Sequence, residues 1–227
     1  MPSLTGVFRR SLGALVLAAA THAMAAGGAS TYAPPDAAAA QAASEFAAQV
    51  MRSGDAGGRA FGVIDKQAAT LWLFDKQGQA VANTPVLVGQ AKGDTAPADI
   101  GKRPLSQVKL HEKVTTAGRY LTEPGKNHKG EDIVWLDYEN ALSMHRVRNV
   151  PKEFRTKRLL TPTVDDNRIS FGCVNVPASF YDRSIDLMFS RTAGVVYVLP
   201  ETKPVASVFP FAGEPPPQTV AQRGAAD

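Results

Sequence analysis

Along the first third of the chain the apolar positions follow two different periods. From Ala37 to Arg52 the composition is Ala-rich, with Phe46, Val50 and Met51 on one side, which predicts a short helix with a docking face. Three glycines between Ser53 and Arg59 end it. Phe61–Asp65 and Thr70–Phe74 then read as short runs of β-branched and aromatic residues, separated by a polar link and followed by Asp75-Lys76-Gln77-Gly78. That pattern predicts consecutive antiparallel strands joined by turns. Strands are expected again over 79–83, 85–88, 108–110, 119–121, 133–136, 141–147 and 195–199, with loops over 89–104 and 122–131.

Two stretches interrupt this β pattern. Residues 148–167 are polar, rich in Lys and Arg and punctuated by Pro151 and Pro162, which predicts an excursion over the surface. Pro177 can open a helix whose apolar stripe is Phe180, Ile185 and Met188, closed by Gly194. The expectation is a mainly β domain over 61–200 with a short helix after the single cysteine, preceded by a linker (26–60) and followed by a Pro-rich flexible tail (201–227).

Composition changes the picture at the N-terminus. Arg9 and Arg10 precede the apolar run 12–20 and an Ala23-Met24-Ala25 site, which predicts an export signal over 1–25 and a periplasmic location. Phe8 ahead of the arginine pair departs from a twin-arginine pattern, so general secretion is expected. The apolar run is short for a membrane span, and no later stretch approaches about 20 apolar residues. Removing the signal takes two positive charges from a formal net charge of +4. The near-neutral remainder has no basic stripe with interleaved aromatics, so nucleic acid is not an expected partner. No residue pattern signals an oligomeric state.

The candidate chemistry centres on Arg168-Ile169-Ser170-Phe171-Gly172-Cys173-Val174-Asn175-Val176, which holds the one cysteine. A lone thiol in an exported chain is exposed to oxidation, and its bland reading is a small buried hydrophobe. A thiol becomes a nucleophile beside an imidazole, and after signal removal His111, His128 and His145 remain. His145 closes a predicted strand, and two antiparallel strands joined by the excursion would bring it to Cys173 as base; a core or capping histidine is the bland alternative. Gly172 allows close backbone approach, and the amides of Gly172 and Cys173 are candidate oxyanion donors. Ser170 and Asn175 support the turn. Arg146 and Arg168 carry the bidentate fork that suits a substrate carboxylate, or are solvated charge. His111 and His128 have no ligand spacing, so no metal and no cofactor is expected.

The order His145, then Ser170-Phe171-Gly172-Cys173-Val174-Asn175, resembles the signature of the L,D-transpeptidase catalytic domain: His, a spacer, Ser or Thr, His, Gly, Cys, a hydrophobic residue, Asn or Arg. Val63-Ile64-Asp65 through Leu71-Trp72-Leu73-Phe74 is similar to that family's opening hairpin. Pro85-Val86-Leu87-Val88-Gly89 resembles its Pro-Val-x-x-Gly strand, and Thr115-Thr116-Ala117-Gly118-Arg119-Tyr120 its Thr-Pro-Thr-Gly-aromatic segment. The resemblance implies a β-sandwich domain, Cys173 as nucleophile and His145 as general base. It also implies a thioester formed with peptidoglycan peptide stems, and transfer to a diaminopimelate amine in cell-wall biogenesis. Two departures stand out: Phe171 replaces the motif histidine, and the spacer before Cys173 is longer than the family's. They leave open a hydrolase outcome, with water as acceptor, and a non-catalytic envelope or wall-binding protein on the same fold.

Overall fold

The protein, seen in a computed structural model, is described for residues 36–213. The expected signal sequence, the first part of the linker and the end of the tail lie outside the described residues.

Helix α1 (Ala37–Ser53) starts where the Asp36 carboxylate accepts from the Ala38 N–H at 3.1 Å and stops at Gly54, which is left-handed at φ 68°. Its buried residues Ala43, Phe46, Ala47 and Val50 recur at the helical period and form one face. Strands β1 (Phe61–Asp65) and β2 (Thr70–Phe74) pair antiparallel, and the Asp65 carboxylate fixes the turn by accepting from the amides of Gln67 and Ala68. β3 (Ala80–Pro85) extends the pair at the outer edge. β11 (Val195–Val198) returns to lie parallel to β1, and β5 (Gly118–Leu121) closes a five-stranded sheet in the order β3-β2-β1-β11-β5.

The central strands β2, β1 and β11 are buried on both faces, successive side chains pointing to opposite cores. Ile64, Leu71, Leu73, Val196 and Val198 face one core, and Phe61, Val63, Trp72, Phe74, Val195 and Tyr197 face the other. The first core is completed by a four-stranded sheet in the order β10-β8-β7-β6, from β6 (Glu123–Lys126), β7 (Asp132–Asp137), β8 (Leu142–Arg146) and β10 (Val174–Val176). The helical run 178–189 after the cysteine adds Tyr181, Ile185 and Phe189 to it. The second core is covered by α1 and by Phe209. A short parallel pair, β4 (Val88–Gly89) with β9 (Arg168–Ser170), joins the two halves next to the cysteine. The architecture is a mainly β sandwich with a helix after Cys173.

Several segments depart from the sequence reading. Glu123–Lys126, expected as loop, is a strand because its backbone pairs with β7. The strand expected over 108–110 is replaced by 3₁₀ turns at Leu105–Gln107 and Leu110–Glu112, where Leu110 is exposed rather than packed into a core. β8 and β10 pair parallel, not antiparallel, because the excursion is long enough to carry the chain back to the same end. Residues 201–213, expected as part of a flexible tail, form helical turns at Val205–Val208 and Pro210–Gly213 that seat Phe209 in the core. No described helix is long and apolar enough to cross a membrane.

Candidate functional site

His145 sits near the end of β8, and Cys173 immediately precedes β10, its parallel neighbour. The register pairs Val174 with Met144 and Asn175 with His145, which sets Cys173 opposite Ser143 one step earlier. Strands about 4.8 Å apart then hold the Ser143, His145 and Cys173 side chains within reach of one another.

The thiol donates to the Ala141 carbonyl at 3.2 Å and receives the Ser143 hydroxyl at 3.5 Å. Burial pushes its pKa up, but the nearby His145 imidazole and the bond from Ser143 more than offset this, so the thiol lies below its ordinary value. The His145 Nδ1 is 2.8 Å from the Arg146 carbonyl. A carbonyl only accepts, so Nδ1 carries the proton and Nε2 is left to take one from sulfur. An open hollow of about 610 Å³ lies beside His145, with Lys129, Glu131, Asp132 and Arg148 in its walls.

The turn before the cysteine is held from both sides. Gly172 adopts φ 134°, and a Cβ there would lie 2.8 Å from the Val114 carbonyl oxygen. Its carbonyl accepts from the Thr115 hydroxyl at 2.6 Å, and that same hydroxyl accepts from the Gly89 N–H at 2.8 Å. The Gly172 N–H donates to the Ser170 hydroxyl at 3.0 Å. This corrects one expectation: the Gly172 amide is engaged within the turn, which leaves the Cys173 amide as the candidate oxyanion donor. Asn175, fully buried, donates to the Cys173 carbonyl at 3.1 Å and accepts from Arg155 at 2.9 Å. Arg155 belongs to the excursion, which thereby reaches the nucleophile's turn.

The other sequence candidates are placed as follows. The Phe171 ring is partly exposed, and the Lys113 ammonium lies 4.0 Å from its centroid. Arg146 pairs with Asp182 at 2.6 Å and stacks on Tyr181, so its fork is already occupied beside the hollow. Arg168 is not brought to the thiol; its buried guanidinium binds Glu201 and the Lys66 carbonyl. That cluster also contains the Lys66–Asp94 ion pair at 2.8 Å, and Lys66 donates to the Thr115 carbonyl at 2.9 Å. His111 and His128 are exposed, and no group of three or more His, Cys, Asp or Glu side chains among the described residues is arranged to hold a metal ion.

Ser143, Thr115 and Arg155 were given no role by sequence. Thr115 lies in the segment that resembles the family's Thr-Pro-Thr-Gly, which is a signal of place but not of role. Ser143 stands two residues before the histidine on the same strand face, a spacing that carries a signal only once the partner strand is known.

No family model matches the chain. No curated protein sequence matches it either. Among solved structures, an L,D-transpeptidase from Xylanimonas cellulosilytica matches 62% of this chain and 60% of its own at 13% identity and a TM-score of 0.38. The protein Bd1075 of Bdellovibrio bacteriovorus matches 68% of this chain and 53% of its own at 16% identity and a TM-score of 0.37. An L,D-transpeptidase from Mycobacterium smegmatis matches 62% and 58% at 14% identity and a TM-score of 0.33. The chain thus spans less than two thirds of the length of each of these structures, and the reading of its site rests on its own residues.

Proposed function

We propose that the chain is an exported, periplasmic cysteine acyltransferase acting on peptidoglycan peptide stems in the manner of an L,D-transpeptidase. The observation that carries this reading is the β8–β10 register, which sets Cys173 beside Ser143 and His145, with the imidazole oriented by the Arg146 carbonyl. His145 Nε2 takes the thiol proton, and the sulfur attacks a stem carbonyl. The Cys173 N–H stabilises the developing oxyanion, a contribution worth about 2.7 to 4 kcal/mol where such donors have been removed. Collapse breaks the amide bond to the terminal D-Ala, whose amine leaves with the proton from His145. The side-chain amine of a diaminopimelate then attacks the thioester, gives its proton to His145 and frees the thiol. Water in place of the amine yields a trimmed stem from the same site.

The test is intact-mass analysis after exposure to a carbapenem, an acylating β-lactam. A single adduct that disappears in Cys173→Ala is expected. A wild-type protein that stays unmodified while its thiol still reacts with iodoacetamide would refute acyl transfer and favour the non-catalytic, wall-binding reading, for which Phe171 in the motif-histidine position is the motive. Products from purified tetrapeptide stems separate transfer, as linked dimers, from hydrolysis, as trimmed stems.

A further inference from the structure

The Ser143 hydroxyl is buried in β8, and its side-chain hydrogen bond goes to the Cys173 sulfur. A buried hydroxyl needs a partner, and the direction of this bond follows from the protons. The thiol proton points at the Ala141 carbonyl, 3.2 Å away, so Ser143 is the donor in its own contact with sulfur. Ala141 holds that carbonyl in place from a left-handed conformation, φ 53°, at the turn that opens β8.

We propose that Ser143 is a catalytic residue of the thiol site: its hydroxyl donates to the Cys173 sulfur and holds it as the thiolate while His145 carries the proton. The two neighbours of the sulfur act in opposite senses. The Ala141 carbonyl can only accept, so it favours the protonated thiol and has nothing to offer an anion. The Ser143 hydroxyl can donate to either form, and its bond strengthens when sulfur becomes charged. Moving the thiol proton to His145 Nε2 therefore trades a neutral bond to Ala141 for a charge-assisted bond from Ser143. Once sulfur is acylated it is a poor acceptor and the bond weakens, so Ser143 also favours sulfur as the leaving group when the thioester is broken. The other charged groups around the turn are engaged elsewhere: Arg146 with Asp182, Arg155 with Asn175 and Lys113 over Phe171. Among the described residues, His145 and Ser143 are thus the two side chains placed to act on the thiol.

The inference rests on Cys173 being the nucleophile, but its test does not use the acyl-transfer reaction. The rate of Cys173 alkylation by iodoacetamide is followed against pH by intact mass. In Ser143→Ala the midpoint is expected to rise by about one pH unit, roughly tenfold less thiolate at neutral pH. The plateau rate at high pH should be equal or higher, since a less stabilised thiolate is more nucleophilic. Ser143→Thr, which keeps the hydroxyl on a residue suited to a strand, should retain the wild-type midpoint. A Ser143→Ala protein with native circular dichroism and the wild-type midpoint would overturn the proposal. If that variant does not fold, Ser143→Thr against Ser143→Val makes the same comparison at constant shape, and equal midpoints overturn it. A shifted midpoint in a protein that takes no carbapenem adduct would leave Ser143 in its role and remove the acyl-transfer reading instead.

Discussion

The Thr115 hydroxyl donates to the Gly172 carbonyl at 2.6 Å across a sequence separation of 57 residues. Because the same oxygen accepts from Gly89, one buried side chain ties β4 to the turn that presents the thiol. Thr115→Val keeps the shape and leaves the Gly89 amide and the Gly172 carbonyl without this partner. A stability loss of about 1 to 3 kcal/mol is expected in urea unfolding. Carbapenem acylation should slow as well, because the Gly172 peptide loses its anchor; an unchanged acylation rate in a destabilised protein would confine Thr115 to folding.

Gly172→Ala tests the same turn from the other side. At φ 134° an L side chain is strained, and its Cβ would meet the Val114 carbonyl oxygen at 2.8 Å, a backbone atom that cannot swing aside. The turn must shift, and Cys173 with it. Acylation by carbapenem should fall by at least about a hundredfold, since a misplacement on the order of 1 Å has that effect at a reacting centre, with the thiol still present by alkylation.

How much of this was legible in the sequence depends on where the information sits. β1 and β2 were legible because their residues alternate between two cores and because Asp65 and Asp75 make the turns. The approach of Cys173 to His145 was legible from the motif, although the pairing is parallel. Glu123–Lys126 was not: with Pro124, Gly125 and exposed side chains it has no strand pattern of its own, and β7 imposes one by backbone pairing. Arg168 was read as a fork for substrate or as solvated charge because a sequence does not show that Glu201 lies beside it. The roles of Ser143 and Arg155 depend on the β8–β10 register and on how the excursion folds back, and neither leaves a mark on local composition.

His145→Ala removes the group that takes the thiol proton. Carbapenem acylation should slow by about 10² to 10⁴, the range typical of a general base. The alkylation midpoint should also rise, since the imidazole is the chief influence lowering the thiol. Unchanged acylation would show that another group accepts the proton.

The Lys66–Asp94 pair makes an acid-stability prediction. Burial pushes the Asp94 carboxyl up, but bonds from the Lys66 and Thr202 side chains and from the amides of Glu201 and Thr202 more than offset it and hold the carboxyl well below its usual range. A depressed carboxyl contributes stability at pH above its unfolded value, and that contribution is lost as pH falls through the usual range towards the folded value. Unfolding free energy should therefore decline steadily from about pH 5 downward. Asp94→Asn leaves Lys66 without its closest counter-charge, so a loss of about 3 to 5 kcal/mol is expected at neutral pH, together with a shallower acid slope. An acid slope equal to wild type would place the titrating group elsewhere.

Phe209 decides whether the stretch after Pro200 belongs to the fold. Its prolines read as a loose tail, yet its ring packs edge-on to Phe46 of α1 at 5.2 Å and to Tyr197 of β11 at 5.7 Å, almost wholly out of water. The same stretch brings Glu201 and Thr202 onto Asp94, so a polar clasp and an aromatic plug act at its two ends. Phe209→Ala opens a cavity against α1 and should lower stability by about 3 to 5 kcal/mol in urea unfolding. Because the second core lies on the far side of the five-stranded sheet from the β8–β10 pair, the folded fraction should keep the wild-type alkylation midpoint for Cys173. A loss below about 1 kcal/mol would mean that the stretch rests on the surface and that α1 covers the sheet without it.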